Sequence, residues 1–343
     1  MFPIRIAMRL ALAIAGAYCA CLGAAFAQSE PEAIARLNDA GRRNYRLYLD
    51  SGFNKVFVLS PSGNWQWSAR RPDLREAMNE AIAKCQSRSQ TPCAVVSLNN
   101  IEVAGRDPED FLRQQGGSAA YGVLRQQPFV SVRGPAQARG LIVWSHGYLH
   151  GADATESLPQ PYVSRFHLSG YDVYRFDRRW TTRETYSGQI QDLIDATTQA
   201  RRAGYKRIVL AGQSHGGWSS LDAAARGAPV DAVISLAPAR HGRKQQMTRG
   251  DEAFADFVDL ARRVSRTSVP LAMAFFADDD YDVGGRGTEA KALFSSREGP
   301  SLVIDAPAGF SGHGAGNSSA FNEKFGACLF EFADAAKKSG PCF

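Results

Sequence analysis

From about residue 139 onward the chain repeats one pattern, a short and almost wholly apolar run followed by an amphipathic stretch. The runs read "GLIVWSHG", "YDVYRFD", "RIVLAGQS", "DAVISLAP", "VPLAMAFFADDD" and "SLVIDAP". A strand that is apolar on both faces must be covered on both, which a half-exposed hairpin does not require. The intervening stretches supply that cover. "SGQIQDLIDATTQARRAG" carries its apolar residues at helical spacing and ends on a glycine stop. Strand and helix in alternation predict an α/β fold, a mostly parallel sheet covered by helices on both faces. The last helix, "SAFNEKFGACLFEFADAAKK", presents Phe321, Phe325, Cys328, Leu329 and Phe332 on one side and stops at Gly340-Pro341.

Residues 28–130 have a different texture. "FNKVFVLSPSGNWQWSA" is two β-rich runs around a Pro-Ser-Gly-Asn turn, a hairpin signal. "RPDLREAMNEAIAKC" follows, with Leu74, Ala77, Met78, Ala81, Ile82 and Cys85 at helical spacing, and then the strand-like "CAVVSLNNI". This ββαβ order predicts a small N-terminal α+β module, leaving 131–343 for the larger domain. Trp65 and Trp67 flank Gln66 and so share one face, as half-buried packing. The order resembles a small module of exported bacterial proteins, in which cysteines at the helix end and the next strand are frequent. A chain of 343 residues with 44% hydrophobic content can fill one large core and a smaller second one.

The first 27 residues stand apart from both. Arg5 and Arg9 precede the apolar run "LALAIAGAYCACLGAAFA", which ends in small residues at Ala25-Phe26-Ala27. That is the pattern of a secretory leader cut before Gln28, and it is short for a permanent membrane span. A periplasmic or secreted destination, with no stable membrane anchor after cleavage, is the expectation. Cys85, Cys93, Cys328 and Cys342 remain, an even number that suits disulfides in an oxidising compartment. Nearness in sequence favours Cys85–Cys93 and Cys328–Cys342. No Cys-x-x-Cys or His-rich cluster has metal spacing, so no structural zinc is expected, and the serine chemistry expected below needs neither a metal nor an organic cofactor. The net charge of +6 comes from scattered arginines rather than a stripe interleaved with aromatics, which argues against a nucleic-acid partner.

Chemistry concentrates at Gly212-Gln213-Ser214-His215-Gly216. A β-rich strand runs into this pentapeptide and a helical stretch leaves it near Gly217. Gly-x-Ser-x-Gly between a strand and a helix is the setting of a nucleophile elbow, a strained turn that lifts a serine hydroxyl above a sheet. On these residues the chain resembles the α/β-hydrolase family over about residues 135–338. The added Gly217 is similar to the dienelactone-hydrolase-like and prolyl-oligopeptidase-like branches.

The resemblance implies a serine nucleophile, then an acid, then a histidine, in that chain order. The acid belongs just after "VPLAMAFFA", in "DDDYDVGG". There Ala277 takes the place of the motif's glycine, and Asp280 with Val283 matches the remainder. Asp279 is the next choice, with Asp278 and Asp282 behind it; clustered carboxylates also suit a hard cation such as calcium. His313, in "AGFSGHGAG", occupies the histidine position. His215 contributes its backbone N–H to an oxyanion hole rather than its ring to catalysis. The second N–H falls to Tyr148, after the His146-Gly147 element, with the His146 ring bracing that loop. His150 has no fixed role. Arg175, Arg178 and Arg179 pair with acids such as Asp177 and Glu184 in preference to a substrate.

These expectations add up to an exported serine hydrolase acting on a small acyl substrate, an ester or a related bond, through Ser214, His313 and Asp280. A serine peptidase and a non-catalytic envelope binding protein on the same scaffold are the alternatives. The segment near 239–268, the one long insertion, is expected as a short lid or a wall of the cleft.

Overall fold

The computed structural model describes residues 32–113, 121–149, 152–153, 157–337 and 342. The expected leader, residues 1–27, and His150 lie outside them. No helix among the described residues is long and apolar enough to cross a membrane.

The N-terminal part runs α1 (Glu32–Ala35), α2 (Asp39–Asp50), β1 (Val56–Leu59), β2 (Trp65–Ser68), α3 (Leu74–Gln86), β3 (Ala94–Leu98), β4 (Ile101–Glu102) and α4 (Pro108–Arg113). Its four strands form an antiparallel sheet in the order β2-β1-β3-β4. Asn38 and Asp73 cap α2 and α3 by accepting the N–H groups of Gly41 and Glu76. The apolar face of α3 packs Leu74, Ala77, Met78 and Ala81 against Val56, Val58 and Val95. The other side of the sheet meets α2, where Tyr45 and Tyr48 join Phe57 and Leu59. Trp65 stacks on Phe57 and Trp67 meets Tyr48 edge-on, both indoles half-buried. The Cys85–Cys93 disulfide ties the end of α3 to the start of β3. Helix α2, which covers this second face, went unmarked in the sequence reading.

The larger part runs β5 (Leu124–Gln126), β6 (Gly140–Ser145), β7 (Tyr148–Leu149), β8 (Ala152–Asp153), α5 (Val163–Leu168), β9 (Tyr171–Phe176), α6 (Tyr186–Arg202), β10 (Ile208–Gln213) and α7 (His215–Ala225). It continues through β11 (Ala232–Leu236), α8 (Gly250–Ser265), β12 (Leu271–Phe275), α9 (Arg286–Phe294), β13 (Ser301–Asp305) and α10 (Ser319–Ala335). Seven strands make one sheet in the order β13-β12-β11-β10-β6-β9-β5. All neighbours are parallel except β5, which pairs antiparallel with β9 at the edge. The six parallel strands are the six apolar runs.

Alternation along each strand divides the core in two. Leu141, Val143, Ile208, Leu210, Val233, Leu271 and Met273 face the helices α6, α7, α8 and α9. Ile142, Val209, Ala211, Ile234, Ala272 and Ala274 face α5 and α10. Burial on both faces is why these strands read as unbroken apolar runs. Helix α8 accounts for most of the segment expected as a lid. Its Phe257, Leu260, Ala261 and Val264 stand at helical spacing inside the same core as α7. The segment is therefore mainly a covering helix, and only the stretch before Gly250 is left to face the cleft.

The two parts are joined at residues 50–55. Asp50 receives Arg165 Nη2 at 3.0 Å, and its carbonyl accepts Asn322 Nδ2 at 2.7 Å, which links α2 to both α5 and α10. Phe53 is buried with Tyr162 in the core of the larger sheet. Lys55 is wholly buried and donates to the carbonyls of Tyr48, Leu49 and Ser51 at 2.9, 2.6 and 2.7 Å. Its ammonium thus closes the C-terminal end of α2, whose last carbonyls have no helical partner. The second disulfide, Cys328–Cys342, fastens α10 to the C-terminal residues. Lys55→Met keeps the apolar stem but strands buried acceptors, so it is expected to lower unfolding free energy by about 3 kcal/mol, read from the urea midpoint.

Candidate active site

Ser214 links β10 to α7 with φ +57° and ψ −124°, a conformation that L-residues rarely adopt. Three backbone bonds hold it there. Ser214 N–H donates to Leu236 O at 2.9 Å, and its carbonyl accepts Ala239 N–H at 3.2 Å and Trp218 N–H at 3.0 Å. The glycines around it are explained by space. A Cβ on Gly212 would lie 2.4 Å from Gly216 C, and one on Gly216 only 2.0 Å from Ser145 O. A Cβ on Gly217 would press to 2.7 Å from Ser235 Oγ. Strand and helix therefore approach so closely that side chains at these positions are excluded. This arrangement is a sharp elbow with the serine at its apex.

Two loops converge on the elbow. The first follows β13 and carries His313. Its Nδ1 lies 2.8 and 3.0 Å from the two carboxylate oxygens of Asp279, and its carbonyl accepts Gln213 Nε2 at 3.1 Å. The Tyr281 ring stacks on the imidazole with centroids 4.1 Å apart. Nδ1 thus donates to the carboxylate, while Nε2 on the far side of the ring is buried and has no hydrogen-bond partner, Ser214 included. Such contacts are often open before substrate arrives.

The carboxylate at His313 is Asp279, not the expected Asp280. The four aspartates are sorted by the backbone. Asp278 has φ +54° and so turns the chain immediately after β12; its carboxylate accepts the Ser311 hydroxyl at 2.7 Å. That early turn directs Asp279 inward, where it is 6% exposed and also accepts Tyr281 N–H at 2.8 Å. Asp280 points the other way, to Arg243 at 3.2 Å. Asp282 faces Arg286 and Gly284 N–H, with burial raising its pKa. Reading Ala277 as the motif's glycine put the turn one residue late. The described residues contain no cluster able to hold a metal ion.

The second loop follows β6. Gly147 sits so near Ser214 that a Cβ on it would lie 3.0 Å from Ser214 Cβ. A buried ion-pair network fixes this loop. His146 Nε2 meets Asp177 Oδ1 at 2.9 Å, and Arg178 Nη2 meets His146 Nδ1 at 3.0 Å. A carboxylate only accepts, so Nε2 carries a proton towards Asp177, while Nδ1 lies between the Arg178 donor and the carbonyl of Gly147. Gly147 O, 2.8 Å from Nδ1, shares the same Arg178 Nη2 at 3.2 Å, and Nη1 reaches His146 O at 3.1 Å. Asp177 also receives Arg175 and Arg179 at 3.3 Å each. The arginines at the end of β9 are thus bound to the scaffold, and the His146 ring braces its loop.

A model of the alpha/beta hydrolase family matches residues 142–330, more than half of the chain. The chain belongs to the alpha/beta hydrolase family. No curated protein matches it. Among solved structures it is similar to an esterase from Pyrococcus furiosus, at 16% identity over 57% of this chain and 80% of the other, with a TM-score of 0.42. A truncated carbohydrate esterase from gut microbiota gives 14% identity over 64% and 97%, with a TM-score of 0.47. The acylaminoacyl peptidase of Pyrococcus horikoshii gives 14% over 60%, with a TM-score of 0.44, and this chain covers 39% of it.

The His215 ring, beside the elbow serine, has its Nδ1 buried without a hydrogen-bond partner. It lies between Tyr148 and Tyr186, with ring centroids at 4.8 and 5.6 Å. Burial, then the charges of Arg178 and Arg240, pushes its pKa down to about 3, so the ring is neutral. Its N–H opens α7 and has no acceptor within the helix. Tyr148, after Gly147, is half exposed and its ring lies over Arg178 at 5.0 Å. A cleft of about 530 Å³ opens over Gly147, Tyr148, Gln213 and His313.

Two outcomes follow from this geometry. Glycine removes the Cβ penalty at the elbow, so Ser214→Gly is expected to be about 1 kcal/mol more stable than Ser214→Ala by denaturant unfolding. His215 and His167, the latter also lowered to about 3 mainly by burial, are neutral in the fold but titrate near 6.5 when unfolded. Their contribution is complete above pH 6.5 and falls as pH drops towards 3, by up to about 1.4 kcal/mol per pH unit for each. The slope of unfolding free energy at pH 5 is expected to fall by about one proton in each of His215→Gln and His167→Gln.

Proposed function

We propose that the chain is an exported serine hydrolase that cleaves an ester or a related acyl bond through an acyl-enzyme. The observation that carries this reading is the Asp279–His313 pair, held by Gln213 against the strained Ser214 elbow. His313 takes the proton of Ser214 Oγ at Nε2 as the oxygen attacks the carbonyl carbon, and Asp279 stabilises the imidazolium through Nδ1–H. The N–H groups of His215 and Tyr148 receive the negative oxygen of the tetrahedral intermediate. Its collapse breaks the bond to the leaving group, which takes the proton from His313. Water then gives a proton to His313, attacks the acyl carbon and releases the acid and free Ser214.

Export rests on the leader-like residues 1–27 and on the two disulfides, which persist in oxidising compartments.

A fluorophosphonate probe is expected to label purified protein and to fail on Ser214→Ala. Labelling that survives in Ser214→Ala removes the nucleophile, and no labelling of either favours a binding protein on this scaffold. With 4-nitrophenyl acetate, Asp279→Asn is expected to lower kcat by about 10³–10⁴ and Asp280→Asn by less than about threefold. The reverse ranking would return the acid to Asp280.

A further inference from the structure

The turn between β2 and α3 crosses from the small module into the cleft. Arg70 on that turn has φ +57°, a left-handed conformation that is costly for arginine. Its N–H donates to Phe53 O at 3.2 Å. Its stem passes directly over Gly52, where a Cβ would lie 3.1 Å from Arg70 Cγ. At the far end Nη1 donates to Asn317 O, in the short turn Ala315–Asn317 that follows His313. Gln160 steadies the same turn through Asn317 Oδ1 at 2.9 Å. The strained backbone, the glycine beneath the stem and the carbonyl at the tip together set one guanidinium on the cleft wall, close to the His313 loop.

What Arg70 lacks is a counter-charge. Its two arginine neighbours in the cleft are taken up: Arg71 by Glu80 at 2.7 Å and Arg243 by Asp280 at 3.2 Å. No carboxylate of the described residues meets Arg70, and none lines the cleft, which three arginines border. Arg70 is solvent-exposed at the cleft, and partial desolvation lowers its pKa with no acid to oppose it. A guanidinium held on an open cleft wall by a strained backbone, with one nitrogen given to a carbonyl and no acid beside it, is free to pair with an anionic ligand.

We propose that Arg70 is a specificity-determining residue that receives an anionic oxygen group, a carboxylate or phosphate, carried by the acyl substrate. This rests on the hydrolase reading above. The small module then supplies part of the active site rather than standing beside it, and the preferred substrates are anionic esters. Arg70 touches the substrate's charged group and not the reacting carbonyl, so it sets which ester is chosen.

The test compares kcat/KM for 4-nitrophenyl hemiglutarate, charged on the acyl side, and 4-carboxyphenyl butyrate, charged on the leaving side, each against its neutral counterpart, 4-nitrophenyl pentanoate or phenyl butyrate. One anionic ester is expected to be preferred to its counterpart, and 0.5 M salt to erode that preference. Arg70→Gln is expected to lower the anionic-to-neutral ratio by about 10- to 100-fold, with Arg70→Lys in between. An equal fall on charged and neutral esters would reduce Arg70 to a brace for Asn317 and overturn the proposal, as would the absence of any anionic preference in the unaltered protein. A separate arm keeps this apart from the catalytic reading. Glutarate and inorganic phosphate are titrated calorimetrically into Ser214→Ala with and without Arg70→Gln, where no turnover is needed. Binding of either anion weakened at least about tenfold by Arg70→Gln supports the site even if hydrolysis fails, and binding that ignores the change overturns it.

Discussion

The approach of Gly216 to Ser145 O is the contact on which the rest of this structure depends. No Cβ fits between them, so α7 can rise from β10 only where glycine occupies that position. The closeness sets the sharpness of the turn, and the turn puts Ser214 in a backbone conformation it would not adopt unaided. The N-terminal end of α7 is thereby brought against the loop after β6, with Gly147 beside Ser214 for the same steric reason. A looser elbow would move the His215 N–H relative to Tyr148, and the two proposed oxyanion donors would act only when both are in range.

Around that contact the polar groups are arranged to leave few choices. Asp177 is fully buried and would be costly alone, yet it is shared by His146, Arg175 and Arg179, which repay its desolvation. Arg178 sits against the His146 ring and backbone and at the same time ties down the Gly147 carbonyl. The sheet end is thus rigid on the side of the proposed oxyanion donors. On the opposite side the restraints are fewer: His313 is held by Asp279, the Tyr281 ring and Gln213. That asymmetry suits the proposed base, whose Nε2 has no hydrogen-bond partner before substrate arrives.

The parallel sheet was legible because both its faces are buried, which turns each strand into an unbroken apolar run. The edge strand β5 was not: Leu124–Gln126 is three residues long and exposes one flank, so it has neither length nor pattern. The glycines around Ser214 marked the elbow because steric exclusion leaves a residue-type signature. The acid did not carry one. Four aspartates in five positions are alike to any motif, and what separates them is the positive φ at Asp278, a property of the turn and not of the side chain. The segment near 239–268 was expected as a short lid or a wall of the cleft; helix α8 makes up most of it, and Arg243 ahead of that helix lines the cleft. The spacing of Phe257, Leu260, Ala261 and Val264 in α8 is that of a buried helix face.

The small module shows how far fold and site are the same problem. A four-stranded sheet of this size gains from a staple, and the Cys85–Cys93 disulfide supplies one. Its anchorage to the larger domain at this end comes from Asp50 and Phe53, with Lys55 closing the helix end beside them. Phe53, which fills the core beside Tyr162, also offers the carbonyl that fixes the Arg70 backbone. The packing that attaches the module is therefore the packing that aims Arg70, one residue pair serving both ends. A shift of the module against α5 would carry the guanidinium off the Asn317 carbonyl and out of the cleft wall. Selectivity at this site would then be lost by loosening a domain contact, with Ser214, His313 and Asp279 all still in place.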